Sequence, residues 1–209
     1  MGKGLEKLLS IAISPLRFSI AGIPRLLAEK GVRGQEVYSM LTKKNGFFVF
    51  ESALHILPIG LGRGMDLETW NSPSLWRLEY GDMADNLLFF AEDAFGFQFA
   101  IRDESVVCFD PETGRTAEFA STLEGWADLI LSDYEVLTGF PLIHDWQERH
   151  GSIPADRRLA PRIPFVLGGE YSLANLYLAD PVELMRFRAS IARQIRDLPD
   201  GAPIKLKIT

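Results

Sequence analysis

Apolar and polar positions alternate through residues 86–119, in short runs separated by turn-forming residues. Leu87, Phe89 and Ala91 interleave with Leu88, Phe90 and Glu92; after Asp93-Ala94-Phe95-Gly96, Phe97, Phe99 and Ile101 interleave with Gln98, Ala100 and Arg102. A period of two marks half-buried strands, and Gly96 and Gly114 supply tight turns, so an antiparallel meander is predicted. Helical spacing is found on both sides of it. Short amphipathic helices are predicted over 24–30 and 34–44, the second with Val37, Tyr38 and Leu41 on one face and Asn45-Gly46 as its stop. A brief apolar run at 47–50 and the group Ala53, Leu54, Ile56 and Leu57 lead to Pro58. Asp66 is placed to cap a helix carrying Trp70, which Pro73 breaks before 75–80 continues. Ser121 or Thr122 caps a helix running to about Leu137, with Trp126, Ile130 and Leu131 on one side. Beyond a helical candidate at 144–151 and a Pro/Arg-rich link at 154–164, the reading is strand (163–167), Gly168-Gly169 turn, strand (173–178), helix (181–196), turn (199–201) and strand (204–208). Pro181 suits the first turn of that helix.

Length and composition bound the class. The chain has 209 residues, 47% of them hydrophobic, enough to bury a sizeable core without staples. A single cysteine, Cys108, excludes an internal disulfide; it lies in an apolar strand pattern and reads as a buried structural thiol in a reducing, cytoplasmic compartment. The apolar stretch 8–27 is interrupted by Pro15, Arg17 and Pro24, well short of the roughly 20 residues a spanning helix needs. No small-residue cleavage site follows it, and Glu6 stands where an N-myristoylation signal needs Ser or Thr, so no membrane association is expected.

Charge is divided unevenly. Residues 1–65 carry 9 basic and 4 acidic side chains (net +5), residues 66–135 carry 3 and 16 (net −13), and residues 136–209 carry 10 and 8 (net +2). Phosphate binding requires Lys and Arg in one place, so the middle third does not suit nucleic acid and attracts a cationic partner instead. The plainer reading is an acidic, solvated face. Catalytic patterns are weak. Gly60-Leu61-Gly62-Arg63-Gly64 lacks dinucleotide spacing and reads as a turn. His144 and His150 are six apart, about 240° around a helix, and cannot share a metal from it. His55, in an apolar run, reads as a satisfied, partly buried histidine. The pairs Glu92-Asp93 and Asp103-Glu104 fall at strand ends and turns, where solvated acids are ordinary, and spacing alone does not converge Asp82, Asp85, Glu92 and Asp93 on a calcium ion or an acid/base pair. No nucleophile elbow is present. Neither an active site nor a cofactor is expected.

The order Tyr38, Leu41, Asn45-Gly46, Leu54, Ile56-Leu57-Pro58, Trp76, Tyr80, FFAEDAFGFQFAI, VVCFDPETG and the helix around Trp126 resembles the SUKH superfamily, which includes fungal Smi/Knr-type regulators of cell-wall synthesis and bacterial immunity proteins that neutralise cognate toxins, often nucleases. The resemblance covers about residues 35–135, and the tail from PFVLGGEYSLANLYLADP is similar to that of a bacterial subset; residues 138–160 have no counterpart in it. It implies an α+β fold with a curved, mainly antiparallel sheet and flanking helices, comprising a helical lead-in (1–34) and one domain (35–209). It implies a non-catalytic binding module whose partner is a cognate, basic protein toxin. On that reading Glu79, Asp82, Asp85, Glu92 and Asp93 supply charge to a partner surface, with Trp76 and Tyr80 as aromatic anchors or, equally, as core. A scaffold with several cellular partners is the alternative, and a ligand-binding protein or enzyme a further one.

Overall fold

The structure is a computed structural model describing residues 2–18, 20, 22–60, 65–199, 201, 202 and 204. Helix α1 (Lys3–Ile11) leads to α2 (Arg25–Ala28) and α3 (Gly31–Lys43), then strands β1 (Phe47–Val49) and β2 (Leu54–Ile56) and the single turn α4 (Leu67–Trp70). Strands β3 (Leu88–Asp93), β4 (Gln98–Arg102), β5 (Ser105–Phe109) and β6 (Thr116–Ala120) follow, then helices α5 (Leu123–Ser132), α6 (Tyr134–Thr138) and α7 (Phe140–His150). The last described elements are β7 (Arg158–Pro161), β8 (Leu176–Ala179) and α8 (Pro181–Ile195).

The first six strands form one antiparallel meander in chain order, β1-β2-β3-β4-β5-β6, and β7 pairs with β8 in a second small sheet. The fold is therefore α+β, with a mainly antiparallel sheet and flanking helices. The period of two over 87–92 predicts one wet face, yet every residue of β3 is buried. The reason is its position in the interior of the sheet. Phe90 packs edge-on against Trp126 of α5, while Phe89 meets Trp76 and Phe109. Leu5 and Leu8 of α1, Leu27 of α2 and Met185 of α8 join the same core. A smaller core gathers Phe95, Ile143, Trp146, Leu159 and Leu176 beneath the β7–β8 pair.

Side-chain caps start three of the helices, α4, α5 and α8. Asp66 accepts from the Glu68 and Thr69 amides at 2.9 and 3.0 Å, Thr122 from Gly125 at 3.0 Å, and Asp180 from Val182 at 2.9 Å. The helix expected over 122–137 breaks at Asp133 into α5 and α6, and α7 starts at Phe140, directly after Gly139 at φ +67°. Residues 163–167 are not a strand. Pro164 turns the chain, the Gly168 and Gly169 amides return to the carbonyls of Phe165 and Pro164, and Phe165–Leu167 coils into a 3-10 turn. The strand lies earlier, at β7, within the Pro/Arg-rich link; another 3-10 turn, Leu173–Asn175, occupies the start of the strand expected over 173–178, which begins at Leu176. Residues 205–208 of the strand expected over 204–208, the turn residue Asp200 and glycines 62 and 64 lie outside the described residues. Among the described residues no helix is long and apolar enough to cross a membrane.

Candidate functional site

The sequence presents Glu92 as a solvated strand-end acid, but it is 3% exposed, at the centre of a buried polar cluster. Four strands build it. His55 of β2 is paired in register with Glu92 of β3, and Gln98 of β4 is Glu92's partner on the other side. Arg158 enters from β7, donating from Nε to Glu92 Oε1 at 2.8 Å and from Nη2 to the same oxygen and to His55 Nδ1. Its Nη1 donates to the Arg157 carbonyl at 2.6 Å. Gln98 Nε2 donates to Glu92 Oε2 at 3.0 Å, and Trp70 Nε1 donates to Gln98 Oε1 at 2.9 Å. The His55 ring stacks on Phe48, centroids 4.3 Å apart.

Electrostatics follow from that geometry. Burial pushes the His55 pKa down to about 4, and the Arg158 charge adds to the effect. The same Nδ1 that faces the Arg158 donor also lies 3.0 Å from Glu92 Oε1. Burial raises the Glu92 carboxyl, but Arg158 leads the groups that outweigh it and hold it at about 2. The cluster is thus an ionised carboxylate fixed by an arginine beside a neutral imidazole, lining a cavity of about 180 Å³ with Trp70, Met65 and Val182. As assembled, its charges hold β7 onto the main sheet.

Asp93 belongs to a second buried cluster. Its Oδ1 accepts from the Phe95 and Phe97 amides, both at 2.9 Å, and burial pushes its pKa up to about 7. Nearby, Arg188 of α8 donates to the Phe95 carbonyl at 2.6 Å and pairs with Glu112 at 3.4 Å, and burial raises the Glu112 carboxyl.

Four of the seven residues assigned to a partner surface are therefore interior: Glu92, Asp93, Trp76 and Tyr80. Trp76 and Tyr80, each 1% exposed, form an aromatic pair edge to face, and the Tyr80 hydroxyl donates to the Pro111 carbonyl at 2.8 Å. They are core because the chain around them coils into 3-10 turns that press both rings onto Phe89 and Phe109. Glu79 and Asp82 reach the surface but are paired with α8, Glu79 with Arg186 at 3.1 Å and Asp82 with Arg196 through two nitrogens. Asp85 is exposed. The arginines 158, 186, 188 and 196 that engage these acids all come from the last quarter of the chain, and no local spacing signals them.

The other candidates are dispersed. His144 Nδ1 meets Glu51 at 2.9 Å, and His150 stacks on Trp146. Among the described residues no group of three His, Cys, Asp or Glu side chains is placed to hold a metal ion. Cys108 is part-buried, and burial, then Asp93, pushes its thiol up to about 12.

No family model and no curated protein matches this chain. Its fold is similar to the crystal structure of Atu4351 from Agrobacterium tumefaciens, with a TM-score of 0.59 and 14% identity over 90% of this chain and 88% of that one. A likeness at that identity establishes the architecture.

Proposed function

We propose that this chain is a non-catalytic binding protein acting in immunity, one that holds and neutralises a cognate basic toxin such as a nuclease. The observation that carries the reading is where acidic charge stays free. Glu92, Asp93 and Glu112 are buried, and Glu79, Asp82, Glu104 and Glu118 meet arginines. On helices α6 and α7 and at the Asp133 junction before them, the exposed acids Asp133, Glu135, Asp145 and Glu148 face solvent with Arg149 as their one exposed Lys or Arg neighbour on those helices. Their potential is felt by His144, whose pKa is raised by Glu51 first and by Glu148 and Asp145 as well. Leu129 of α5 and Val136 of α6, 43% and 75% exposed, add apolar contact. A toxin that holds phosphate presents Lys and Arg, so this face offers it complementary potential and fast association. The resemblance of residues 35–135 to immunity proteins supplies the biological class.

The test is co-expression with the neighbouring open reading frame, scoring growth and capture at low and high salt. Wild type is expected to protect and to capture one basic, salt-sensitive protein. The combined variant Asp133→Lys, Glu135→Lys, Glu148→Lys should keep its unfolding midpoint and lose about tenfold or more in association rate at low salt. Undiminished association would reject this face, and capture of several non-toxic proteins would replace immunity with a scaffold role.

A further inference from the structure

Among the described residues the small sheet leaves one strand edge open. In its register Arg158 faces Ala179, Leu159 faces Leu178, Ala160 faces Tyr177 and Pro161 faces Leu176. The Arg162 amide donates to the Asn175 carbonyl at 2.6 Å, which fixes the alternation. Hydrogen-bonded pairs recur at every second position of an antiparallel ladder, so Ala160/Tyr177 and Arg158/Ala179 bond to each other while Leu159 and Leu178 turn their main-chain groups outward. The outward Leu159 amide is taken by the Ala94 carbonyl at 2.8 Å, closing that side of β7. Among the described residues the outward groups of Leu178 on β8 have no hydrogen-bond partner, and β8 pairs with no strand but β7.

Natural sheets blunt such an edge with lysine, proline, a bulge or a covering segment. Strand β8 reads Leu-Tyr-Leu-Ala and carries none of these in its own sequence. Beside it runs a cleft of about 400 Å³ between β8 and α8, lined by Tyr177, Leu178, Glu183, Leu184 and Phe187. Tyr177, Leu178 and Phe187 are 39%, 38% and 44% exposed. At its end Arg157 is paired with Asp180 at 3.5 Å, whereas Glu183 forms no ion pair among the described residues.

We propose that the open edge of β8 is a docking strand for an extended, basic segment of the protein partner. An extended main chain returns the two hydrogen bonds that Leu178 offers, and alternate side chains then fall into the cleft against Leu178 and Phe187. A lysine or arginine in that segment meets Glu183, whereas Asp180 is already paired with Arg157, which also lines the cleft. The proposal rests on the binding reading above and extends it to a second contact.

The test uses the full chain and a capped octapeptide of alternating lysine and valine, with a glutamate-valine octapeptide and a proline-interrupted lysine peptide as controls. Saturable binding by fluorescence anisotropy is expected for the lysine-valine peptide alone, with amide exchange at Leu178 slowed about tenfold. Phe187→Ala and Glu183→Lys should each weaken binding about fivefold while leaving the unfolding midpoint unchanged. No saturable binding, equal binding of the proline-interrupted peptide, or unprotected exchange at Leu178 overturns the proposal. Protection at Leu178 that rises with protein concentration alone, with a doubled mass, would assign the edge to a second copy and also overturn it. Because the peptide assay needs no toxin, its failure leaves the co-expression result standing, and the two readings fail separately.

Discussion

Arg158 and Glu92 are each about 4% exposed at the side chain, and neither charge has bulk water to fall back on. Removing one partner of such a pair leaves the other buried and uncompensated, at a cost of about 3–5 kcal/mol, whereas removing both charges together can be nearly neutral. Arg158→Met should therefore lower stability by about that amount, and adding Glu92→Gln should restore most of it, because Gln keeps an acceptor and a donor among His55, Gln98 and the methionine. Urea unfolding of the two variants decides the point: a double variant no more stable than the single one would mean that the arginine acts through packing over Phe48, 5.6 Å from its ring, instead of through charge. This pairing also explains what could not be seen in the sequence. Glu92 stands next to Asp93 before a turn, the setting of a solvated acid, and its partner lies 66 residues away in a link read as strandless. His55 was legible as a satisfied histidine from its apolar neighbours, but burial of Trp76 and Tyr80 depends on which rings the sheet brings beneath them.

At the level of elements, Gly34 fixes how α2 meets α3. A methyl group there would overlap the Leu27 carbonyl oxygen at the end of the preceding helix, which is backbone and cannot swing aside. In an unconstrained helix Gly→Ala stabilises by up to about 1 kcal/mol. Here Gly34→Ala should destabilise by about 1–3 kcal/mol, the usual range for forcing extra volume into a closed contact. A variant with a raised midpoint in thermal unfolding would show that α2 yields. Elements with their own local signals were legible from the residues: α4 through the Asp66 cap, α8 through Asp180 and Pro181, and the β3–β4 hairpin through its alternation and Gly96 at φ +83°. Residues 163–167 carried the apolar content of a strand without its alternation, and Pro164 with Gly168 decided for a turn. Strand β7 had the reverse problem. Arg158 and Pro161 are poor advertisements for a strand, and their burial comes from Glu92 and from the β8 ladder, both distant in sequence.

For the molecule as a whole, the buried titrating groups oppose one another across the acid range. Glu92 sits at about 2 against an ordinary 4.5, and His55 at about 4 against 6.5, so in both cases the unfolded chain binds the proton more tightly. Their contribution to stability is full above the ordinary values and is lost as pH falls, through 6.5 to 4 for His55 and through 4.5 to 2 for Glu92. Asp93 has the opposite sign. Raised to about 7 from 3.8, it binds the proton more tightly in the fold, and its contribution is lost as pH rises between those values. Between pH 4 and 6.5 the His55 gain runs against the Asp93 loss, to which the raised Glu112 adds with the same sign, which predicts no steep rise of stability there and a steep fall below pH 4. Asp93→Asn separates the two, since the amide oxygen can still accept from the Phe95 and Phe97 amides while the group no longer titrates. Relative to wild type the variant should gain as pH rises from 4 to 8, by on the order of 4 kcal/mol for a shift of this size, and its own profile should climb between pH 4 and 6.5 as His55 loses its proton. Urea midpoints at half-unit steps of pH measure both slopes. A constant difference between variant and wild type would mean that Asp93 is ionised in the fold throughout, held by Arg188 despite its burial.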